Sequence, residues 1–291
     1  MISMKIGRAA VGVAALLALF ASPLLAQDGD ERELGWSFQA ELGSLWTGGN
    51  QETFTLAADG KLAYTWPVSR FKFELGGFQT ESSLTTTTAV GTGQDDFQLA
   101  STTVTEKTAE TYYSEARYDY DLSDRFYVFG AGDWLRNPFS GIDSRFVFSG
   151  GAGNLWVDSD RIRFSTDYAA TYTHEENVVP TPGQNTDFPG LRLAYDFKWT
   201  LTQTAKFEST LTADLNLDNT DDVRLDWYNG LPIDISSVLA FKPSIRLMWR
   251  NDPALEEVPL FDAPGGTQNG TVLTPLKKLD TYFNIALVFK F

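Results

Sequence analysis

The sequence predicts an all-β fold: an antiparallel, up-and-down transmembrane β-barrel of about twelve strands, with short periplasmic turns and long extracellular loops. Three observations predict it. Segments long enough to cross a bilayer as tilted strands, which takes ~9–11 residues, alternate apolar and polar side chains with the period of two that a strand imposes. The links between them are short and long by turns. The last segment, residues 278–291, sets Phe283, Ile285, Leu287, Phe289 and Phe291 on one face and Asn284, Ala286 and Lys290 on the other. A final strand that is apolar outside and closed by an aromatic has the form of an insertion signal, read by the barrel-insertion machinery of a Gram-negative outer membrane.

The N-terminus agrees. Residues 1–26 read as a secretory signal peptide, with Lys5 and Arg8 and no acid, an unbroken apolar run from Ala9 to Phe20, and Ala26 before the cleavage point. Residues 27–34 form an acidic periplasmic segment, and 35–291 the barrel. Removing the signal with its two basic residues takes the formal charge from −15 to −17. Beyond it no stretch approaches the ~18 apolar residues of a membrane helix. The chain has no cysteine, so no disulfide framework is available. A closed ladder that satisfies its own backbone groups does without one.

The strands fall at 35–46, 53–66, 69–81, 110–122, 125–135, 145–157, 161–173, 190–201, 206–216, 223–234, 238–250 and 278–291. In the second, Phe54, Leu56, Ala58, Gly60, Leu62, Tyr64 and Trp66 oppose Thr53, Thr55, Asp59, Lys61 and Thr65. In the third, Phe78 breaks the parity set by Phe71, Phe73 and Leu75, which predicts a bulge. The seventh turns Ile162, Phe164, Tyr168 and Tyr172 outward. In the eighth, Leu191, Leu193, Tyr195, Phe197 and Trp199 oppose Arg192, Asp196 and Lys198. In the ninth, Phe207, Leu211, Ala213 and Leu215 oppose Lys206, Glu208 and Asp214. Pro243 interrupts the eleventh, where a missing N–H has to be accommodated.

Link lengths sort by side. Pro67-Val68, Ser123-Asp124, Asp158–Asp160, Thr202–Ala205 and Ser236-Ser237 are short; Ser82–Ala109, His174–Pro189 and Asn251–Lys277 are long and rich in Thr, Pro, Gly and acids. Tryptophans fall near strand ends, Trp36, Trp66, Trp156 and Trp199 on the periplasmic side and Trp46, Trp134 and Trp249 on the outer side. They read as two aromatic girdles at the membrane interfaces, with Trp227 outside that pattern. A soluble β-sandwich also explains alternation, but not the signal peptide, two tryptophan belts and terminal aromatic together.

Three stretches carry a family likeness: Gly49-Asn50-Gln51-Glu52 leading into Phe54-Thr55-Leu56, the run from Ala116 to Gly130 (ARYDYDLSDRFYVFG), and Gly141-Ile142-Asp143-Ser144-Arg145 followed by Gly151-Ala152-Gly153. Together they resemble the salt-induced outer-membrane protein family (YdiY-like), whose function is unknown. The likeness runs from about residue 35 onward and departs at Gln51, where the family pattern has Thr. It implies a monomeric outer-membrane barrel and brings no catalytic residues.

Twelve strands lie between about eight, whose interior side chains fill, and sixteen to eighteen, which leave an aqueous channel. The lumen's chemistry therefore decides. Strand parity turns Lys61, Lys72, Arg117, Arg163, Arg192, Lys198, Lys206, Arg224, Lys242, Arg246 and Arg250 inward, with Glu115, Asp119 and Asp196 among the opposing acids. Asp59, Glu74, Asp133, Asp167, Glu208, Asp214 and Asp226 join them. The signs nearly balance, whereas a selective pore lines its lumen with one sign. Opposite charges are expected to pair across a narrow or partly closed interior. The row Lys242, Arg246 and Arg250, beside Arg224, is the feature that could instead guide small anionic solutes.

The surplus negative charge is assigned to tails and loops: Asp218, Asp221 and Asp222 in one, Glu175-Glu176 in another, Glu256-Glu257 in the last. Solvation explains such acids; bridging by divalent cations to lipopolysaccharide is the functional alternative. Leu217–Asp222 lacks the glycine and distant Glu of a calcium loop. The single histidine, His174, would face lipid at headgroup depth beside Ser144 or Ser140, the position a lipid-modifying base occupies. Beside Glu175-Glu176 it reads more simply as a polar strand end. Gly150–Gly153 lies within a strand with no helix behind it to present amides to phosphate, and so acidic a chain does not suit nucleic acid. The expectation is a non-enzymatic integral outer-membrane protein without cofactor or metal, either a small passive channel or a structural, envelope-stress component. Outer-membrane lipid, lipopolysaccharide and the insertion machinery are its expected partners. The alternative is a lipid-modifying enzyme using His174.

Overall fold

The computed structural model describes residues 34–47, 51–93, 96–180, 183–264 and 266–291. The signal peptide and most of the acidic segment at 27–34 lie outside the described residues. The chain runs through β1 (Gly35–Thr47), β2 (Gln51–Trp66), β3 (Ser69–Gly93), β4 (Asp96–Asp121), β5 (Phe126–Asn137), a 3-10 turn (Pro138–Ser140), β6 (Ile142–Asp158), β7 (Ile162–Asn177) and β8 (Asp187–Thr200). It continues through β9 (Lys206–Asn216), β10 (Val223–Gly230), β11 (Ile233–Asp234), β12 (Leu239–Arg250), β13 (Leu255–Phe261), β14 (Gln268–Pro275) and β15 (Leu279–Lys290). Each strand from β1 to β10 pairs antiparallel with the next; β10 then pairs with β12, β12 with β15, and β15 with β1. That ring closes a twelve-stranded barrel. β11 is a short continuation beside β12, and β13–β14 form a separate hairpin within the longest connection.

The alternation in sequence becomes two faces. Trp36, Phe54, Leu56, Leu75, Phe148, Leu191, Leu193, Phe283, Ile285 and Leu287 are exposed on the outside, where a bilayer solvates them. Trp36, Trp66, Trp156 and Trp199 stand exposed near the short-turn end. Trp134 and Trp249 are near the long-loop end, and the Trp134 ring nitrogen donates to Ser144 Oγ at 3.1 Å. The side chain of Trp46 lies outside the described residues. Trp227 is outward in mid-wall opposite Leu211. Its ring nitrogen donates to Ser209 Oγ at 3.2 Å, and the Tyr195 hydroxyl meets the same oxygen at 3.1 Å. Two amphipathic rings thus satisfy the one hydroxyl between them.

Four expectations change. Residues 82–109 are not a loop: β3 and β4 continue as one hairpin, paired from Ser69↔Tyr120 to Gly93↔Asp96. β2 accompanies β3 only to Leu84 and β5 accompanies β4 only from Tyr112, so the remainder projects beyond the barrel wall. Threonine rungs hold it, with Ser83–Thr105 at 2.6 Å and Thr85–Thr103 at 2.8 Å between hydroxyls. β-branched Thr favours a pleated strand, so a Thr-rich stretch was a strand signal. Phe78 causes no bulge: the β2–β3 register runs unbroken past it, and the irregularity lies on the β4 side between Thr80 and Glu81. Phe78 turns inward, 5.2 Å from the Tyr282 ring. The strand read at 223–234 breaks after Gly230, before Pro232. Pro243 sits opposite that break, where its carbonyl accepts from Leu231 N at 3.0 Å; its missing N–H falls just past the last β10–β12 pair, Gly230↔Ser244. The fourth change concerns two acids, Glu175 and Asp222, taken up below.

Candidate functional site in the lumen

Of the cations read as inward from the sequence, Lys61, Lys72, Arg117, Arg192, Arg224, Lys242, Arg246 and Arg250 are each ion-paired with an acid. Near the short-turn end Arg117 Nε and Nη1 donate to Asp119 and Asp167, each at 2.6 Å, with the guanidinium 3.9 Å from the Phe129 ring centroid. Lys72 adds a second cation to Asp119 at 3.2 Å, and the Tyr127 hydroxyl donates to Asp167 at 2.6 Å. Lys242 is buried against Glu41 of β1. Lys61 pairs with Glu74 at 3.0 Å. Asp196 is 3.9 Å from Lys198, both well exposed to the lumen. Glu115 stands on the wall between Glu74 and Asp133.

Halfway along, Arg192 Nη1 donates to Asp133 at 2.6 Å and Nε to Asp214 at 2.7 Å, joining β8 to β5 and β9. Arg246 Nε donates to Asp226 at 2.8 Å, and its guanidinium lies 5.4 Å from the ring of Tyr113 on β4, whose hydroxyl donates to Asp59. β12 and β4 are five steps apart around the ring, so this contact is a chord across the lumen.

The tightest cluster is at the long-loop end. Glu175 is inward because β7 extends to Asn177 and keeps the parity of Asp167 and Thr171. Its carboxylate receives Arg145 of β6, Arg224 of β10 at 3.1 Å and Arg250 of β12 at 2.8 Å. Asp222 accepts from Arg224 and, at 2.9 Å, from Arg250. Only 2% of the Glu175 side chain and 1% of Asp222 is exposed. Burial opposes ionisation of Asp222, but the hydrogen bond and charge of Arg224 and the charge of Arg250 outweigh it and hold the carboxyl below its usual range. These two acids were expected among solvated loop charges; instead they hold the β6–β7 wall to the β10–β12 wall. Glu41 and Arg145 were missed as lumen charges, although both fall within the strands read at 35–46 and 145–157 and the alternation there already places them inside.

Above the cluster the outer connections meet. The Asn137 amide donates to the Tyr282 hydroxyl at 3.0 Å, and Ser140 Oγ donates to Asp280 at 2.6 Å, so the β5–β6 turn reaches β15. Gly141, at φ +79°, leaves no room for a side chain: a Cβ there would collide with Ala254 and Leu276. His174 faces outward; its Nδ1 is 2.9 Å from Asp187 and its Nε2 3.6 Å from Glu176. Neither hydroxyl expected near it engages the imidazole, Ser144 being bonded to Trp134 and Ser140 to Asp280. Among the described residues no group of three or more His, Cys, Asp or Glu side chains is placed to hold a metal ion.

Residues 40–291 match a family described as a protein of unknown function, DUF481. The chain belongs to the DUF481 family. Uncharacterized protein YdiY of Escherichia coli (strain K12) is 22% identical to this DUF481 chain over 148 residues, 51% of the chain and 56% of YdiY. The chain thus spans little more than half the length of that relative. Among solved structures it is similar in fold to the NanC porin, at 11% identity and a TM-score of 0.43, covering 87% of this chain and 100% of that one. The KdgM porin gives 7% and 0.40, covering 88% and 99%. The translocator domain of the autotransporter NalP from Neisseria meningitidis gives 10% and 0.39, covering 90% of each.

Proposed function

We propose that this chain is a non-enzymatic integral protein of the bacterial outer membrane, with the short-turn end toward the periplasm and a lumen held shut by ion pairs. The observation that carries this reading is Glu175, whose one carboxylate binds arginines from three strands on two sides of the wall. Such a cluster acts as a crosslink: it stiffens the barrel and fills the section through which solute would pass. Lipid and lipopolysaccharide surround the apolar outer face, and the apolar row on β15 serves the insertion machinery. That Ser144 is bonded to Trp134 and Ser140 to Asp280, and neither to His174, supports a surface polar group over a hydrolytic base.

A narrow passive channel is the second reading. It is favoured by the half-exposed charges lower in the lumen, Lys61 at 43%, Lys72 at 44% and Asp196 at 42%, which line a wet vestibule beneath the closure. Planar-bilayer recording of the refolded protein tests both. The closed reading expects wild type to give no stable steps and Glu175→Ala to open steps selective for anions, because three arginines then keep only Asp222. Stable steps from wild type, unchanged in Glu175→Ala, would overturn it in favour of a channel whose path bypasses the cluster.

A further inference from the structure

On the long-loop face lies a cleft of about 320 Å³ assembled from three separate connections. Gln184 and Asn185 come from the β7–β8 link, Asn216, Asp218 and Asn219 from the end of β9 and its following turn, and Asp252 to Leu255 from the segment after β12. The polar groups brace one another across the links. The Asn185 amide donates to Asp218 at 3.1 Å, the Asn219 amide to Asp252 at 2.9 Å, and Asn216 Oδ1 accepts from the backbone of Asp218 at 2.9 Å. The first two braces each engage one carboxylate oxygen, of Asp218 and of Asp252, and both of these acids line the cleft. Arg250 lines the cleft as well, but its three donor nitrogens are committed to Glu175 and Asp222. Those two carboxylates already balance its charge. Pro253, Ala254 and Leu255 supply an apolar flank.

We infer that this cleft binds a neutral, hydroxyl-rich ligand of one or two sugar rings. Planar carboxamides and carboxylates in rigid positions suit hydroxyls, which both donate and accept, and the apolar flank suits the C–H face of a pyranose. The volume is at the small end of ligand sites, which run ~300–1,000 Å³. Asp218 and Asp252, each braced by a neutral amide rather than by a cation, select against acidic sugars. The inference is independent of whether the lumen conducts. Two sources offer this chemistry: a free sugar in the medium, and the oligosaccharide of lipopolysaccharide beside the barrel.

The test is saturation-transfer NMR on the refolded, heat-modifiable full-length barrel. The probes are glucose, N-acetylglucosamine, maltose, glucuronate, calcium chloride, and oligosaccharide released from lipopolysaccharide. The expected result is saturable binding of a neutral probe with Kd of about 1 mM, weakened at least ~10-fold in Asn219→Leu and in Gln184→Leu, and unchanged in Glu256→Gln. Among the described residues Gln184 accepts a single hydrogen bond, from the Asn177 amide at 3.2 Å, and takes no part in the brace to Asp252, so that variant keeps the test valid if Asn219→Leu misfolds. Tighter binding of the released oligosaccharide than of free sugars assigns the ligand to the envelope; the reverse assigns it to solute. Binding of glucuronate or calcium in place of the neutral probes, binding that survives both substitutions, or no neutral-probe binding by folded protein would overturn the inference.

Discussion

Glu175→Gln removes one negative charge while keeping the side chain's shape. The carboxylate is 2% exposed, and its arginine partners, Arg145, Arg224 and Arg250, are 12%, 10% and 12% exposed in their side chains. Arg224 and Arg250 retain Asp222, but among the described residues Arg145 is ion-paired with Glu175 alone. Breaking a buried pair from one side costs ~3–5 kcal/mol, because the charge left behind is uncompensated. With two of three arginines still partnered, the expectation is the lower bound, about 3 kcal/mol. At a urea slope of ~1–3 kcal/mol/M, the unfolding midpoint in lipid vesicles, followed by tryptophan fluorescence, falls by ~1–3 M. Arg145→Met in the same background restores part of the loss, with a coupling energy of ~1–3 kcal/mol between the two sites. The reasoning is refuted if Glu175→Gln moves the midpoint no more than Glu176→Gln, whose side chain is 59% exposed, or if the double variant is additive.

Gly141→Ala is expected to lower stability by ~1–2 kcal/mol in the same assay, from the left-handed backbone at φ +79° alone, with further loss from the approach to Ala254. Pro243→Ala should change stability by less than ~0.5 kcal/mol, since the carbonyl bond from Leu231 is kept and the N–H position lies past the last β10–β12 pair; a large loss would contradict the pairing described. Ser209→Ala strips Trp227 and Tyr195 of their shared acceptor, at a cost near the ~0.6 kcal/mol typical of hydrogen bonds inside a membrane protein, and shifts Trp227 emission. Because the Asp222 carboxyl is held below its unfolded value of ~3.9, its stabilisation is complete above that pH and declines as pH falls through the folded value. Asp222→Asn should therefore flatten the acid limb of the stability profile below about pH 4.

The strand faces were legible because period-two alternation survives wherever one side meets lipid. Phe283, Ile285 and Leu287 could be assigned to the outside from spacing alone. The lumen charges followed by subtraction, and their pairing followed from near-balance of sign. Strand length was less legible. Beyond the membrane, alternation loses its physical cause, so the Thr-rich residues 82–109 and the stretch to Asn177 read as loops although their backbones remain paired. Glu175 and Asp222 were misplaced for that reason: each lies where the sequence stops looking amphipathic and the barrel has not yet ended. The meeting of Gly141 with Ala254 and Leu276 joins residues more than a hundred positions apart, and no local pattern announces it.

The seam between first and last strands is short. β1 meets β15 in register only from Gln39↔Lys290 to Leu42↔Leu287, with a further pair of hydrogen bonds between Phe38 and Phe291, whereas β1 and β2 stay paired along their whole length and β12 and β15 from Leu239 to Trp249. Tension around a closed wall is carried equally by every junction, so the one with fewest rungs yields first. Hydrogen exchange under mild denaturant should begin at Gln39–Leu42 and the facing half of β15. The same junction sets the order of assembly: the cylinder becomes a cylinder last at the place where its two ends are joined most lightly.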